Sequence, residues 1–479
     1  MLTKMKSREK IGIKIVSFFI YLVAFLFLSA TLRAEGMVSK TVLKNGLTVI
    51  LVEENKVPVV TFQVWYKVGS RNEISGKTGL SHLLEHMMFK GTPLHGKGEF
   101  SRIVAQNGGK ENAFTGNDYT AYFEIFSSDK IDLSLELESD RMHNIMIDPT
   151  EFGLEREVVK EERRSRTDDD PYASLIETLY ATAFLVHPYR NPVIGWMSDL
   201  DGVNREDAYR HYKTYYRPDN ATVVIVGDFK SETVLPKIAL LFEKIPKGSE
   251  NVPHPTTKEP DQLGERRVIV KREAQLPFVF MGFHAPNYKD PDTYPLAALS
   301  QILSGGKSSR LYQNLIYNKQ LALSAGGHYD DLTTDPDLFY FYGSPRPGIA
   351  IGEVEDALKQ EITRLQTEPV TDRELTKAKN IIEAEFVFSA DSNFARAMQI
   401  GRAETVGAGY DYFIHYLENL RKVTKDDILR VAKKYLIEDH KSVGILVPTP
   451  THTANESLPL VGVGDETLLP ETGKEGEAH

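Results

Sequence analysis

The chain has 479 residues, enough for two to four domains with full cores. Its net charge of −10 gives no basic surplus of the kind that nucleic-acid binding needs. The absence of cysteine excludes disulfides and thiolate metal sites, so any zinc must be held by His, Asp or Glu.

Lys4, Lys6, Arg8, Lys10 and Lys14 precede an uncharged stretch, residues 15–32. That is a positive n-region followed by an apolar h-region. We read residues 1–34 as a cleaved secretory signal, with an uncleaved membrane anchor as the alternative. Either places the body of the protein outside the cytoplasm, most simply in a bacterial periplasm.

Residues 41–52 predict a hairpin with Asn45-Gly46 at its turn. Residues 59–68, after Pro58, predict an alternating strand. Residues 78–92 follow, Thr-Gly-Leu-Ser-His-Leu-Leu-Glu-His-Met-Met-Phe-Lys-Gly-Thr. Leu80, Leu83, Leu84, Met87 and Met88 make the stripe of an amphipathic helix. Opposite lie His82, Glu85 and His86, within roughly a 100° arc at about 100° per residue. Two imidazoles one turn apart suit a single metal ion, and a carboxylate between them suits proton abstraction from a water. The order is H-x-x-E-H, the inverse of the commoner zinc motif. The competing reading of these three residues is a solvated helix face.

Residues 100–107 predict a helix, and Glu111–Phe126 alternates like a strand. Residues 130–147 and 151–166 read as helices. In the second of these, Glu155 and Glu162 fall within about 20° of each other, flanked by Val158 and Val159, on a face expected to point inward. Glu161 falls about 100° away and is expected to face solvent. This geometry makes Glu162 the candidate third ligand and Glu155 a supporting carboxylate. An ordinary charged surface helix is the bland alternative.

A polar, proline-bearing stretch, 247–265, reads as a linker. It separates two halves, 38–246 and 266–448, that repeat one another. Residues 200–228 align without a gap with 420–448, matching Val203 to Val423, Asp207 to Asp427, Tyr215 to Tyr435 and Val223 to Val443. Residues 78–88 correspond to about 295–305, where no His or Glu stands at the matching places. One half therefore carries the metal donors. Residues 449–479, rich in Pro, Gly, Thr and Glu, read as a disordered tail.

With these motifs in place, residues 38–448 resemble the pitrilysin/insulinase family of zinc peptidases, the inverzincins. The family pattern is H-x-x-E-H followed by Glu 76 or 77 residues after the second His; here that spacing joins His86 to Glu162, within Glu155-Arg156-Glu157-Val158-Val159-Lys160-Glu161-Glu162. The resemblance implies one Zn2+ per chain on His82, His86 and Glu162, with Glu85 as general base and Glu155 in support. It implies an α+β fold of two homologous domains, each a mostly antiparallel sheet with helices, facing each other across a chamber. It places Gly109–Tyr122 as an edge strand where a peptide adds as a further strand, with Asn112, Ala113 and Thr115 on substrate; plain sheet pairing is the alternative there.

One departure matters. Family members active alone or as homodimers carry an Arg and a Tyr seven apart in the second half, reaching the substrate carbonyl. Here Ile316 and Leu323 stand at those places, while Arg310 and Tyr317 have the spacing but not the register. The expected function is therefore a zinc endopeptidase for peptides or unfolded segments, acting as the zinc-bearing subunit of a heterodimer. Its homologous partner would supply the Arg/Tyr pair. The rivals are a non-catalytic scaffold subunit on the same fold and a zinc-dependent peptide-binding module.

Overall fold

The computed structural model describes residues 38–449 apart from Ala390. The first half contains β1 (Val38–Val42), β2 (Thr48–Glu53), β3 (Val59–Tyr66), α1 (Leu80–Met87), α2 (Glu99–Gln106), β4 (Lys110–Thr115) and β5 (Thr120–Ser127). It continues through α3 (Ile131–Asn144), α4 (Pro149–Arg163), α5 (Pro171–Ala183), α6 (Met197–Gly202), α7 (Arg205–Tyr215), β6 (Ala221–Gly227) and α8 (Ser231–Phe242). The second half contains β7 (Arg266–Glu273), β8 (Phe278–Ala285), α9 (Thr293–Ser304), β9 (Ala322–His328), β10 (Asp337–Pro345) and α10 (Ile351–Thr367). It ends with α11 (Asp372–Ser389), α12 (Asn393–Val406), α13 (Tyr412–Lys422), α14 (Lys425–Tyr435) and β11 (Lys441–Thr449).

The strands form two sheets, β1-β2-β6-β3-β5-β4 and β7-β11-β8-β10-β9. In each, the last strand of the half returns to lie parallel to the first strand of the repeat, β6 on β2 and β11 on β7. All other pairs are antiparallel. The fold is α+β, and the repeat read from the sequence is a repeat of structure. Even the helix starts agree: α7 and α14 each begin in a reciprocal capping box, Asn204 with Asp207 and Thr424 with Asp427.

Two sequence expectations change in the first sheet. Residues 111–126 are two strands, because Gly116-Asn117-Asp118 turns the run back on itself, with Thr115 opposite Thr120. Residues 59–66 do not alternate between core and solvent; β3 is buried from Val60 to Tyr66. One face packs on the first half's own helices. The other is covered by α12 of the second half, whose Ala397 and Ile400 meet Ile50, Val52, Trp65, Val224 and Val226. Gly401 lets that helix approach, since a Cβ there would stand 2.1 Å from Trp65 Nε1. The loan is mutual: Leu175 and Leu179 of α5 cover Phe278, Phe280 and Leu446 on the second sheet. Strands buried on both faces read as apolar runs, as β2, β3 and β6 do.

Residues 247–265 contain no helix or strand, yet they are anchored along their length. The Glu259 carboxylate accepts from the backbone N–H groups of Leu185, Val186 and His187 at 2.7–3.0 Å. The Pro255 carbonyl accepts from Arg71, and Gln262 donates to the Lys441 carbonyl. The strand β11 runs to Thr449 and so includes the first residue of the expected tail. Its remainder and residues 1–34 lie outside the described residues. Among those described, no helix is long and apolar enough to cross a membrane.

Candidate metal and active site

The helix α1 is fixed by its apolar stripe and by its first turn. Leu83, Leu84 and Met87 are fully buried in the first-half core. Gly79, at φ 87°, brings the helix start against Ile194 and Leu200, where a Cβ would sit 2.7 Å from the Ile194 carbonyl. The buried Glu73 carboxylate accepts from the N–H groups of Gly79 and Ser81, both at 2.7 Å. It thereby satisfies donors that a helix start leaves unpaired. Ser81 Oγ lies 3.0 Å from Nε2 of the buried His211 on α7.

On the opposite face of α1 the two imidazoles converge, ring centroids 4.8 Å apart. Glu162 on α4 meets them both: Oε1 is 3.8 Å from His82 Nε2, and Oε2 is 3.3 Å from His86 Nε2. Ligand atoms of His82, His86 and Glu162 all lie within 4.8 Å of one another. Two turns earlier on α4, Glu155 Oε1 lies 2.9 Å from His86 Nδ1, and Lys90 Nζ lies 2.6 Å from Glu155 Oε2. This contact holds the His86 ring by Nδ1 and leaves Nε2 turned toward Glu162, the nitrogen that a metal would take in place of its proton. His82 has no such brace: its buried Nδ1 lacks a hydrogen-bond partner among the described residues.

The helix α4 is turned as the glutamates require, with Glu155 and Val159 buried and Glu161 mostly exposed. Val158 departs from expectation. It is 49 % exposed and lies with Leu154 on the outer face, so it does not line the site.

The electrostatics of the donor set suit a cation. Burial opposes charge on His86, but hydrogen bonds to Glu155 and Glu162 outweigh it and raise its pKa to about 9. Burial also works against the Glu162 anion, yet His86, His82 and Arg166 hold its pKa at about 2. His82 is pushed down to about 4 by burial and by the neighbouring His86 charge. The pocket thus stabilises positive charge between one carboxylate and two imidazole nitrogens, where a dication would replace a proton.

Glu85 lies half-buried beside this set. Burial lifts its pKa to about 7, against the hydrogen bond it accepts from Thr115 Oγ1 at 2.5 Å. Thr115, expected on substrate, gives its hydroxyl hydrogen to Glu85. It ends the edge strand β4, which among the described residues pairs only with β5. On the same strand, Asn112 Oδ1 accepts from the Ala113 N–H at 2.9 Å, a contact that a peptide pairing at Ala113 would displace.

Three residues of this region escaped the sequence reading: Lys90, Glu73 and Arg166, whose Nη1 lies 2.7 Å from Glu162 Oε1. Lys90 and Arg166 stand four residues after His86 and Glu162, a helical spacing that could have flagged them. Nothing local to Glu73 announces its role at α1.

The family model described as Insulinase (Peptidase family M16) matches residues 48–196, and that described as Peptidase M16 inactive domain matches residues 202–382. The chain belongs to peptidase family M16. The zinc protease PqqE of Helicobacter pylori is 34 % identical to this M16 protein over 440 residues, spanning 89 % of this chain and 97 % of that one. The crystal structure of a protease from Helicobacter pylori matches with a TM-score of 0.83 and 35 % identity, over 86 % of this chain and all of that one. A peptidase M16 inactive domain from Pseudomonas fluorescens, 17 % identical, shares the fold with a TM-score of 0.78 over 88 % of this chain and all of that one.

The division between the two M16 models follows the donors. When the buried faces of α1 and α9 are matched, Leu83, Leu84 and Met87 with Ala298, Leu299 and Ile302, the places of His82, Glu85 and His86 fall to Ala297, Ser300 and Gln301, none of them a His or a Glu. Arg310 is held by Glu374 through two contacts of 2.6 and 3.1 Å, and Tyr317 is mostly exposed.

Proposed function

We propose that this M16 chain is a zinc-dependent endopeptidase for peptides and unfolded segments. The observation that carries the reading is the meeting of His82, His86 and Glu162 within 4.8 Å, with Glu85 half-buried beside them. Those three side chains would hold zinc, and Glu155 would keep His86 aimed at it. Bound there, zinc supplies a Lewis acid that polarises the scissile carbonyl and acidifies a water.

The protein's own residues do the rest. Thr115 engages Glu85 Oε2 and leaves Oε1 to receive the water's proton and deliver it to the leaving amine. A carboxylate held near neutrality by burial suits both halves of that transfer. The unpaired edge of β4, at Asn112 and Ala113, would take the peptide as an added strand, so main-chain bonds supply affinity with little demand on sequence.

The reading extends to the assembly. We take residues 38–246 as the catalytic domain, 247–265 as a strap and 266–448 as its metal-free homologue. Ile316 and Leu323 cannot donate hydrogen bonds to a developing oxyanion. A homologous partner subunit bearing an Arg/Tyr pair would complete the site. The exported, periplasmic location read from residues 1–34 is part of the same proposal.

The deciding experiment is Glu85→Gln. The variant should keep one zinc per chain by elemental analysis and lose peptide turnover. A Glu85→Gln protein as active as the parent would sink the assignment, as would turnover unaffected by a chelator.

A further inference from the structure

Three arginines crowd the end of α4 and the π-helical turn that follows it, Arg164–Asp168. Arg163 is buried against Glu177 and the Gly195 carbonyl, a structural anchor. Arg164 faces outward to Glu161. Arg166 alone turns to the donor set, with Nη1 2.7 Å from Glu162 Oε1. Its side chain is 67 % exposed, so it stands at the open side of the site and is free to swing.

That pairing conflicts with the function proposed above. The oxygen that Arg166 engages also faces His82 Nε2 at 3.8 Å, within the space a cation would use. A guanidinium keeps its charge at any working pH. With a dication on His82, His86 and Glu162, the Glu162 charge is spent, and like charges meet at close range. The side chain then gains by turning toward an anion in the cleft. A planar fork of N–H donors is shaped for a carboxylate.

The geometry points to Arg166 as a specificity determinant that recognises a carboxylate of the bound peptide close to the scissile bond. The inference rests on the peptidase reading for the position of the peptide. The reach follows from the distances. Arg166 Nη1 is 2.7 Å from Glu162 Oε1, which is itself 3.8 Å from His82 Nε2. At about 3.3 Å per residue, this spans about two residues of an extended peptide. The carboxylate is an acidic side chain within two residues of the cut or a free C-terminus at that distance; the chemistry recognised is the same.

Binding separates these claims from turnover. Three sets of fluorescent peptides of one core sequence serve as probes: a neutral amidated peptide, a series with a single Glu placed in turn at each central position, and a series of neutral peptides truncated to end in a free carboxylate. Zinc-loaded Glu85→Gln protein is titrated with each, alone and with Arg166→Gln or Arg166→Lys added, and zinc content is measured throughout. Charge-assisted pairing should make the best acidic peptide bind about ten-fold or more tightly than the neutral one. Arg166→Gln should bring the ratio to about one, and Arg166→Lys should keep part of it, with zinc unchanged. Preference for the internal Glu or for the free C-terminus identifies which source is read. Equal binding of acidic and neutral peptides overturns the inference, as does a ratio that survives Arg166→Gln. So does an Arg166→Gln effect confined to zinc content. If discrimination depends on Arg166 while neither the parent chain nor the chain with a homologous Arg/Tyr subunit cleaves any peptide, the peptidase reading fails and only carboxylate recognition by Arg166 remains.

Discussion

Glu155 holds His86 by the nitrogen that faces away from Glu162, Oε1 to Nδ1 at 2.9 Å, and is itself held by Lys90 at 2.6 Å. His82 has no equivalent support. The two imidazoles are thus unequal: one is held by a hydrogen bond, the other only by packing. Glu155→Gln should therefore act through His86. Removal of such a carboxylate typically weakens metal binding about 10- to 100-fold. Competition with a zinc chelator measures it, and unchanged affinity would refute the brace.

Thr115 joins the edge strand to Glu85, the proposed general base. Its hydroxyl bonds the charged form of Glu85 and opposes the rise in pKa that burial causes. Thr115→Val removes that donor and keeps the shape. The Glu85 pKa should then rise above its value of about 7, because the anion loses its bond while its burial is unchanged. A base with a raised pKa is protonated over more of the pH range. The acidic limb of the kcat/KM profile should move to higher pH, so the loss is largest near pH 6 and shrinks toward pH 8. A uniform loss at all pH values would point instead to substrate contact by Thr115.

These relationships mark where the sequence stops being legible. His82, Glu85 and His86 share one helix, whose period alone sets their mutual placement. Glu155 and Glu162 share another, and the join between the two helices rested on a spacing characteristic of a family. What the sequence hid is contact between distant segments. Residues 59–66 looked half-buried because the cover on their second face comes from Ala397 and Ile400 in the other half. Val158 and Val159 differ by about 100° of helix rotation, and only packing decides which is inside. The Thr115 hydroxyl could have met a peptide or Glu85 equally well. Gly116-Asn117-Asp118, by contrast, was a readable turn inside a run taken as one strand.

His211 should give the protein a measurable weakness to acid. It is buried behind α1, and burial alone depresses its pKa to about 4. The unfolded chain binds a proton there at an ordinary pKa of about 6.5, which the folded state declines. The stability tied to neutral His211 is therefore intact above about pH 6.5 and is lost as pH falls toward 4. Between pH 7 and 5 the loss is on the order of 2 kcal/mol. His211→Gln keeps a partner for Ser81 and cannot titrate. Urea midpoints at the two pH values should fall further for the parent than for the variant, the difference being the His211 share. Parallel falls would show that His211 does not control it.

The last expectation concerns what the chain lacks. Leu323 lies half-exposed on the edge strand β9, and Ile316 packs partly into the second core. Neither donates a hydrogen bond, and Arg310 is engaged by Glu374. Loss of oxyanion donors typically costs about two to three decades in rate. The purified chain should therefore bind zinc stoichiometrically and cleave peptides slowly. Adding a homologous subunit with the Arg/Tyr pair should raise kcat/KM by about 100-fold or more, and dilution should reverse the gain, because the donors come from a second molecule. Ile316→Arg with Leu323→Tyr tests the same point within one chain. The double variant should recover part of the rate without a partner, provided its urea midpoint shows that the second core tolerates Arg at 316. Full activity of the single chain, constant on dilution, would mean that it finds its donors elsewhere.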